Sequence, residues 1–314
     1  MDYSDSLIPW LLSSKIPTIR FKTYRNLLGY DLNDPTLIKE YREIQTSFPV
    51  QDILDRQVIL GQWPYLNHYY TPKYVSTHWS MMLLEELLID PQDARFQKAV
   101  EFMLNSTQAD IQKRLDFNNP GFTCLWGNIL RYVIYGGFIN DPRTQDMITV
   151  VTKSLTETEC KCEINKNVPC SWGLVRSLWG LSAIPPEKRT SEINEAIQVG
   201  LEFLFVKNSV VKSNYPLADG AKTHPLWGKI SFPLFYQSDI LHILRVLIDL
   251  NQVSLPQAQP AIQWLQFQQK SNGRIRGSNP YHRRTWPIIA EHDDIDRWVT
   301  LYALEILNKA ELAN

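Results

Sequence analysis

Apolar residues recur along most of the chain at the three- and four-residue spacing of α-helices, and alternation long enough for a strand is almost absent. Six segments are apolar or small on nearly all sides and predict buried helices: Ile19–Leu28, Thr77–Leu88, Leu125–Tyr135, Ser171–Leu181, Leu234–Leu250 and Arg297–Leu307. Between them lie segments with one polar face, near Val50–Val58, Asp93–Asn105, Pro142–Leu155, Ser191–Val206 and Pro256–Gln269. This alternation predicts an all-α protein with an inner and an outer ring of helices.

The predicted helix pairs recur at a fixed spacing. His78 and Cys124 are 46 residues apart, as are Cys124 and Cys170, and both cysteines open a Cys-x-Trp-Gly sequence. Helix pairs that recur in this way are typical of repeat architectures, in which neighbouring pairs bury each other's apolar faces. The later repeats are spaced more widely, because two long irregular segments intervene, Val210–Ser231 and Gly273–Asp296. Loops of this length are usually functional. The repeat covers nearly the whole chain and predicts one domain, residues 1–314.

A second recurrent motif stands at the C-terminal ends of two of the amphipathic segments. Gln57, Gly61 and Trp63 fit the pattern Gln-x-x-x-Gly-x-Trp, and Gln269 and Gly273 form a variant that lacks the tryptophan. A glutamine in the last helical turn can bond free carbonyls, and a glycine can adopt the left-handed conformation that ends a helix. We expect the tryptophan to pack the returning loop against the helices.

At these residues the sequence resembles the prenyltransferase and squalene-cyclase superfamily, whose QW motif is similar to Gln57–Trp63. It is also similar to a group of short prokaryotic toroid proteins that share the elements Ser76–Trp79, Cys124–Asn128 and Phe232–Asp239. The resemblance implies an α6/α6 toroid with a central cavity for an isoprenoid. The Asp-x-Asp-Asp acid of class II cyclases and the Asp-x-Cys zinc pair of protein prenyltransferases are both missing. Neither of those active sites therefore transfers to this chain.

The repeat register predicts a zinc site on one rim of the ring. Equivalent repeat positions lie side by side in a toroid, so His78, Cys124 and Cys170 are expected at the N-terminal ends of successive inner helices. Cys162 lies in the loop that leads into the third of these helices, with Cys160 as a competing ligand. Thiolates and neutral imidazoles are the usual ligands of Zn²⁺. The alternative is that the four cysteines are small buried core residues.

Two acidic groups are candidates for catalysis. Asp293 and Asp294 precede the last inner helix, where they can act as general acids or can cap the helix N-terminus. Asp239 and His242 stand three residues apart in an apolar segment and therefore share a helix face. They are either an acid–base pair in the cavity or a satisfied pair in the core.

Aromatic and basic side chains near the inner-helix starts predict the lining of the central cavity. Aromatic walls can shelter an apolar chain and stabilise a carbocation, and arginines can bind an anion. The alternative is that the aromatic rings fill the core and the arginine stems cover apolar surface. The predicted lining residues are Trp79, Trp126, Trp172, Tyr236, Trp298, Arg131 and Arg176.

Charge and composition exclude several classes of protein. The formal net charge is -1 and no basic stripe is present, so nucleic acid is not an expected partner. No run of about 18 apolar residues that could span a bilayer occurs, and the acidic start of the chain does not predict a signal peptide. We therefore expect a cytoplasmic protein, with peripheral membrane contact left open.

Three functions follow as hypotheses. The first is an isoprenoid-processing enzyme, either terpene-cyclase-like with a different acid or a zinc-assisted prenyltransferase, that binds an apolar small molecule in the central cavity. The second is a noncatalytic toroid that binds a lipid or peptide and contains structural zinc. The third is a carbohydrate-active toroid enzyme with two facing carboxylates.

Overall fold

The protein is predominantly helical, as its hydrophobic pattern predicts. A computed structural model describes residues 6–63, 68–117, 121–165, 167–207, 209–211, 223–286 and 292–312. The first eight α-helices in chain order are α1 (Leu7–Leu12), α2 (Pro17–Lys22), α3 (Pro35–Thr46), α4 (Phe48–Leu54), α5 (Thr77–Glu86), α6 (Ala94–Phe117), α7 (Thr123–Tyr135) and α8 (Pro142–Thr156). They are followed by α9 (Ser171–Ser182), α10 (Ser191–Glu202), α11 (Ile240–Asp249), α12 (Gln259–Gln266) and α13 (His292–Leu312). Two short strands, β1 (Lys161–Cys162) and β2 (Val168–Pro169), pair antiparallel.

Local sequence explains where several helices begin. Asp34 and Asp141 precede prolines at the first helical positions of α3 and α8, and each aspartate side chain accepts a hydrogen bond from a backbone N–H of the first turn. Proline suits this position because its missing N–H would have no partner there, and aspartate satisfies one of the free N–H groups. Thr190 caps α10 in the same way through the backbone N–H of Ile193.

The helices predicted as buried contact one another in chain order. Helix α5 packs on α7, α7 on α9, α9 on α11, α11 on α13, and α13 on α2. Helix α2 also reaches the end of α5, because Thr18 Oγ1 donates a hydrogen bond to the carbonyl of Leu87 at 2.7 Å. Every residue of α9 is buried, whereas α12 buries only one face. The predicted division is therefore confirmed for α9 and α12, but it is wrong for Ile19–Leu28, where α2 ends at Lys22 and Arg25, Asn26 and Leu28 are exposed.

The Gln-x-x-x-Gly-x-Trp segment has a structural role, although Gln57 lies after the end of α4 and not in its last turn as predicted. Gln57 Nε2 donates to the carbonyls of Gly61 and Arg95, at 2.8 Å in both cases. Gly61 has a φ of +96°, and the indole of buried Trp63 donates to the carbonyl of Ile53 at 2.6 Å. This segment joins α4, α5 and α6 and takes no part in the site described below.

The structure changes the bounds of several predicted helices, two of which carry the candidate acids. Helix α11 begins at Ile240 and not at Leu234, because the Asp239 side chain caps it and the residues before it are extended. Helix α13 begins at His292, so Asp293 and Asp294 lie inside its first turn and not before the helix. Residues 212–222 and 287–291 of the two predicted loops lie outside the described residues. In the described parts, the loops meet where the backbone N–H of Phe232 donates to the carbonyl of Ser278 at 2.9 Å.

Candidate functional site

A small polar cavity lies where α5, α9, α11 and α13 approach the extended segment 231–234. Its volume is about 20 Å³, which is room for about one water molecule. Its walls combine aromatic rings, such as Trp179 and Phe232, with an unusual number of polar side chains. The polar lining residues are Glu86, Arg176, Ser231, Asp239, His242, Arg245 and Tyr302.

Asp239 is the carboxyl group of this cavity whose pKa is raised by burial, whereas the pKa of Glu86 is lowered. Asp239 is 1% exposed, and its two carboxyl oxygens accept hydrogen bonds from the backbone N–H groups of His242, at 2.8 Å, and Ser231, at 2.9 Å. Burial raises the pKa of Asp239 to about 7, although these hydrogen bonds and the charge of Arg176 oppose the rise. Protonated and ionised forms are therefore both populated near neutral pH, which suits proton transfer in either direction.

His242 stands one turn into α11 and presents a neutral imidazole to the same cavity. Its Nδ1 lies 3.2 Å from Ser238 Oγ, and its ring meets Trp179 edge to face with the centroids 4.9 Å apart. Its Nε2 has no hydrogen-bond partner among the described residues. Burial, aided by the charge of Arg176, holds the pKa of His242 well below its ordinary value.

Arg176 is a fully buried cation without a carboxylate partner in the described part of the chain. Its Nε donates to the carbonyl of Gln237 at 3.1 Å, Nη2 donates to the same carbonyl, and the guanidinium lies 4.9 Å from the centroid of the Trp179 ring. Its Nη1 bonds to no described residue. Burial lowers the pKa of Arg176 to about 10, so the side chain stays charged at neutral pH.

The second arginine of the cavity is neutralised. Arg245 Nη2 lies 2.7 Å from Glu86 Oε1, which also accepts from the Tyr302 hydroxyl and lies 3.8 Å from Lys22 Nζ. Burial works to raise the pKa of Glu86, but Arg245 and Lys22 outweigh it and lower the pKa to about 2. This cluster joins α2, α5, α11 and α13 and leaves Arg176 as the unbalanced charge of the cavity.

The other predicted catalytic residues lie elsewhere. Asp293 and Asp294 occupy the first turn of α13, and both pair with Arg297, Asp294 at 3.5 Å. The Asp293 side chain is 63% exposed, and Asp294 also accepts from Ser14 Oγ at 3.4 Å. These contacts agree with the alternative interpretation of acids that stabilise a helix N-terminus. Neither aspartate lines the cavity around Asp239.

Of the predicted lining residues, Arg176 lines this cavity and the others do not. Arg131 binds Glu85 at 3.2 Å and Asp249 at 2.8 Å. The indoles of Trp79, Trp126 and Trp298 are buried among neighbouring side chains. Trp172 and Tyr236 contact each other edge to face, with a centroid separation of 6.1 Å. In these contacts the aromatic residues behave as packing residues.

The four cysteines lie near the β1–β2 hairpin, and the histidine predicted to join them packs among aromatic rings. Cys170 caps α9 and hydrogen-bonds to Cys162, and burial further raises the pKa of the Cys170 thiol. His78 packs instead against Tyr70 and Trp79 and lies 3.3 Å from the Tyr132 hydroxyl. Among the described residues, no three His, Cys, Asp or Glu side chains are arranged to hold one metal ion. The zinc site stays a prediction, and the proposal below uses no metal.

Sequence reasoning missed Glu86, Arg245 and Tyr302. A signal for Arg245 is present, because it follows Asp239 and His242 at three-residue spacing in the same apolar helix. Glu86 is likewise a charged residue at the end of an otherwise buried apolar helix. Charged residues inside apolar segments are rarely buried without a partner. A pair between Glu86 and Arg245 could therefore have been predicted.

The chain matches no protein-family model, no curated protein and no solved structure in the comparisons made. No helix of the described residues is long and apolar enough to cross a bilayer. The site must therefore be judged on its own geometry.

Proposed function

We propose that the protein is an enzyme of the α/α toroid type that carries out acid–base chemistry in its central cavity. The order of helix contacts supports the toroid, because α2, α5, α7, α9, α11 and α13 follow one another and the last returns to the first. The cavity between α5, α9, α11 and α13 would then be the centre of the inner ring. The proposal therefore has three parts: the toroid fold, its organisation as a single domain, and enzymatic activity.

The observation that carries the proposal is Asp239. A fully buried carboxyl with a pKa near 7 is poised to give or accept a proton at physiological pH, and such shifted groups cluster at functional sites. His242 is the adjacent neutral base or hydrogen-bond donor. In this arrangement Asp239 is the proton donor and His242 positions the reacting group.

The substrate class follows from charge. The resemblance implies an isoprenoid, and the charge of Arg176, which no described carboxylate neutralises at ion-pair distance, disfavours a carbocation and favours an anion. Of the two isoprenoid chemistries expected from the sequence, this favours transfer from a prenyl diphosphate over cyclisation of an uncharged polyene. Because the cavity holds about one water molecule, it has room for one oxygen of the diphosphate, and we place the rest of the substrate outside it.

A noncatalytic binding protein is the second candidate, and one observation favours it. Both oxygens of Asp239 already accept backbone hydrogen bonds, from Ser231 and His242, which is a complete structural role for a helix cap. On this account the carboxyl holds the extended segment against α11, and the cavity binds a ligand without converting it.

The test compares Asp239→Asn with Asp293→Asn, which replaces the exposed acid on α13. The wild type, incubated with a panel of prenyl diphosphates and nucleophilic acceptors, is expected to release diphosphate as the prenyl carbon forms a bond to the acceptor or to water, with products identified by mass spectrometry. Asp239→Asn should lose turnover by about 100-fold or more, the usual contribution of a general acid, while Asp293→Asn stays active. Prenyl diphosphate binding without turnover in the wild type would favour the noncatalytic candidate. Neither binding nor turnover, or full activity of Asp239→Asn, would overturn the proposal.

A further inference from the structure

The charge in the cavity is not balanced. Arg176 is 0% exposed, and among the described residues no carboxylate lies within ion-pair distance of it. Glu86 is engaged with Arg245 and Lys22, and both Asp239 oxygens face backbone N–H groups. A buried cation without a counter-ion is costly, because its desolvation is not repaid by a partner. We therefore expect the buried charge of Arg176 to have a function.

Two buried hydrogen-bonding atoms of this cavity are unsatisfied by the described residues. They are Nη1 of Arg176 and Nε2 of His242, on α9 and α11, and both side chains contact Trp179. Both side chains line the same cavity, so one ligand placed there can bond to both atoms.

The donor set and the size of the cavity select the kind of ligand. Arg176 Nη1 is a charged donor, and His242 Nε2 is a donor when Ser238 donates its hydroxyl proton to Nδ1. Two donors and a positive charge call for an anion. A volume of about 20 Å³ admits a species about as large as a water molecule, which excludes a whole sulfate or phosphate.

We propose that the cavity binds a small monoanion between Arg176 Nη1 and His242 Nε2. Two sources share this chemistry, a free halide ion and a single anionic oxygen of a substrate, such as one oxygen of a diphosphate. Only the second source rests on the proposed function. Bound there, the anion supplies the missing counter-ion of Arg176 and fixes the His242 tautomer with the proton on Nε2. Arg176 and His242 thereby become the binding residues, while Asp239 keeps its role as acid.

Bromide tests the site without any substrate. Crystals of the full chain soaked in sodium bromide are expected to show an anomalous peak within hydrogen-bond distance of Arg176 Nη1. In solution, chloride should raise the Tm of the wild type relative to gluconate at equal ionic strength, since gluconate is too large for the cavity and a ligand that binds only the native state stabilises it. Formate replaces chloride in a second series. A response to chloride alone assigns the site to a free halide, and a response to both extends it to anionic oxygens.

Matched variants separate this proposal from the enzymatic one. Arg176→Gln should abolish the chloride response or weaken anion binding at least tenfold, while Arg283→Gln, at an exposed position, retains it. Asp239→Asn should lose turnover yet still bind bromide. If prenyl diphosphates are not processed but the bromide peak is present, the proposed function fails and the anion site stands. The absence of a bromide peak in wild-type crystals, with equal Tm in chloride and gluconate, would overturn the site whether or not Arg176→Gln folds.

Discussion

Replacing Gly127 with alanine is expected to destabilise the protein by about 3 kcal/mol or more, because α7 and α9 cross where neither helix has room for a side chain. A Cβ atom at Gly127 would lie 2.2 Å from the carbonyl oxygen of Arg176, and one at Gly180 would lie 2.5 Å from the carbonyl oxygen of Gly127. Backbone atoms cannot rotate away as a flexible side chain can, so the helices must separate. The separation would also displace Arg176 from the cavity.

The sign of this effect is informative. In an exposed helix, glycine to alanine stabilises by about 1 kcal/mol through helix propensity, so a large loss can only come from the contact. Urea unfolding measures the difference. Gly228→Ala is the matched control, because nothing lies within 4 Å of a Cβ atom at that exposed turn, and its effect should stay within about 0.5 kcal/mol. A Gly127→Ala protein as stable as the wild type would show that α7 and α9 do not pack this closely.

The second large effect is expected at the buried ion cluster. Glu86→Gln should cost about 3 kcal/mol, since it keeps the shape of the side chain and leaves Arg245 and Lys22 without their carboxylate. Both the Glu86 and the Arg245 side chains are largely buried, at 11% and 20% exposure, so solvent screens their interaction only partly. Lys39→Met is the control, because Lys39 and its partner Glu43 are 72% and 43% exposed and such pairs contribute little.

The same variant predicts a pH dependence. The folded pKa of Glu86 is about 2, below the ordinary value of 4.5, so its stabilisation is complete above pH 4.5 and is lost as the pH falls through the folded pKa. The difference in unfolding free energy between the wild type and Glu86→Gln should therefore be largest near neutral pH and shrink in acid. A difference that is constant from neutral pH down to about 2 would contradict the ion-pair interpretation.

The sequence predicted most of the helical elements from their periodic apolar faces but missed α1 and α3. The prediction was wrong for the apolar residues before α11, which are not helical. Residues 232–235 are apolar enough to extend α11 backwards, but the Asp239 side chain caps the helix and Phe232 bonds to Ser278. A cap that depends on a distant loop cannot be recognised from local periodicity.

The recurring Cys-x-Trp-Gly sequence has a packing explanation in the structure. Cys124 and Cys170 each precede a glycine by three residues, and the structure shows why that glycine recurs. Gly127 lies against the backbone of α9, and Gly173 lies against Thr123 of α7. The recurring glycines allow two helices to cross closely, and that requirement says nothing about metal binding. His78 shares the register and contacts aromatic side chains in place of the thiols.

The candidate site was predicted in part. Asp239, His242 and Arg176 were singled out by sequence, and the structure brings these three to one cavity. Which of the acids would be buried could not be deduced, because burial depends on contacts among α5, α9, α11 and α13 that are far apart in the chain. Asp293 and Asp294 have the same residue type and a similar place near a helix start, yet both pair with Arg297, and only the Asp293 side chain is exposed.

The most direct test of the central claim is a carbon-13 NMR titration of the Asp239 carboxyl group, assigned by comparison with Asp239→Asn. The account predicts a midpoint near pH 7, because the carboxyl is buried in the cavity beside Arg176 and His242. A midpoint near the ordinary aspartate value of 3.8 would show that the carboxyl stays ionised at neutral pH and would contradict its role as the proton donor.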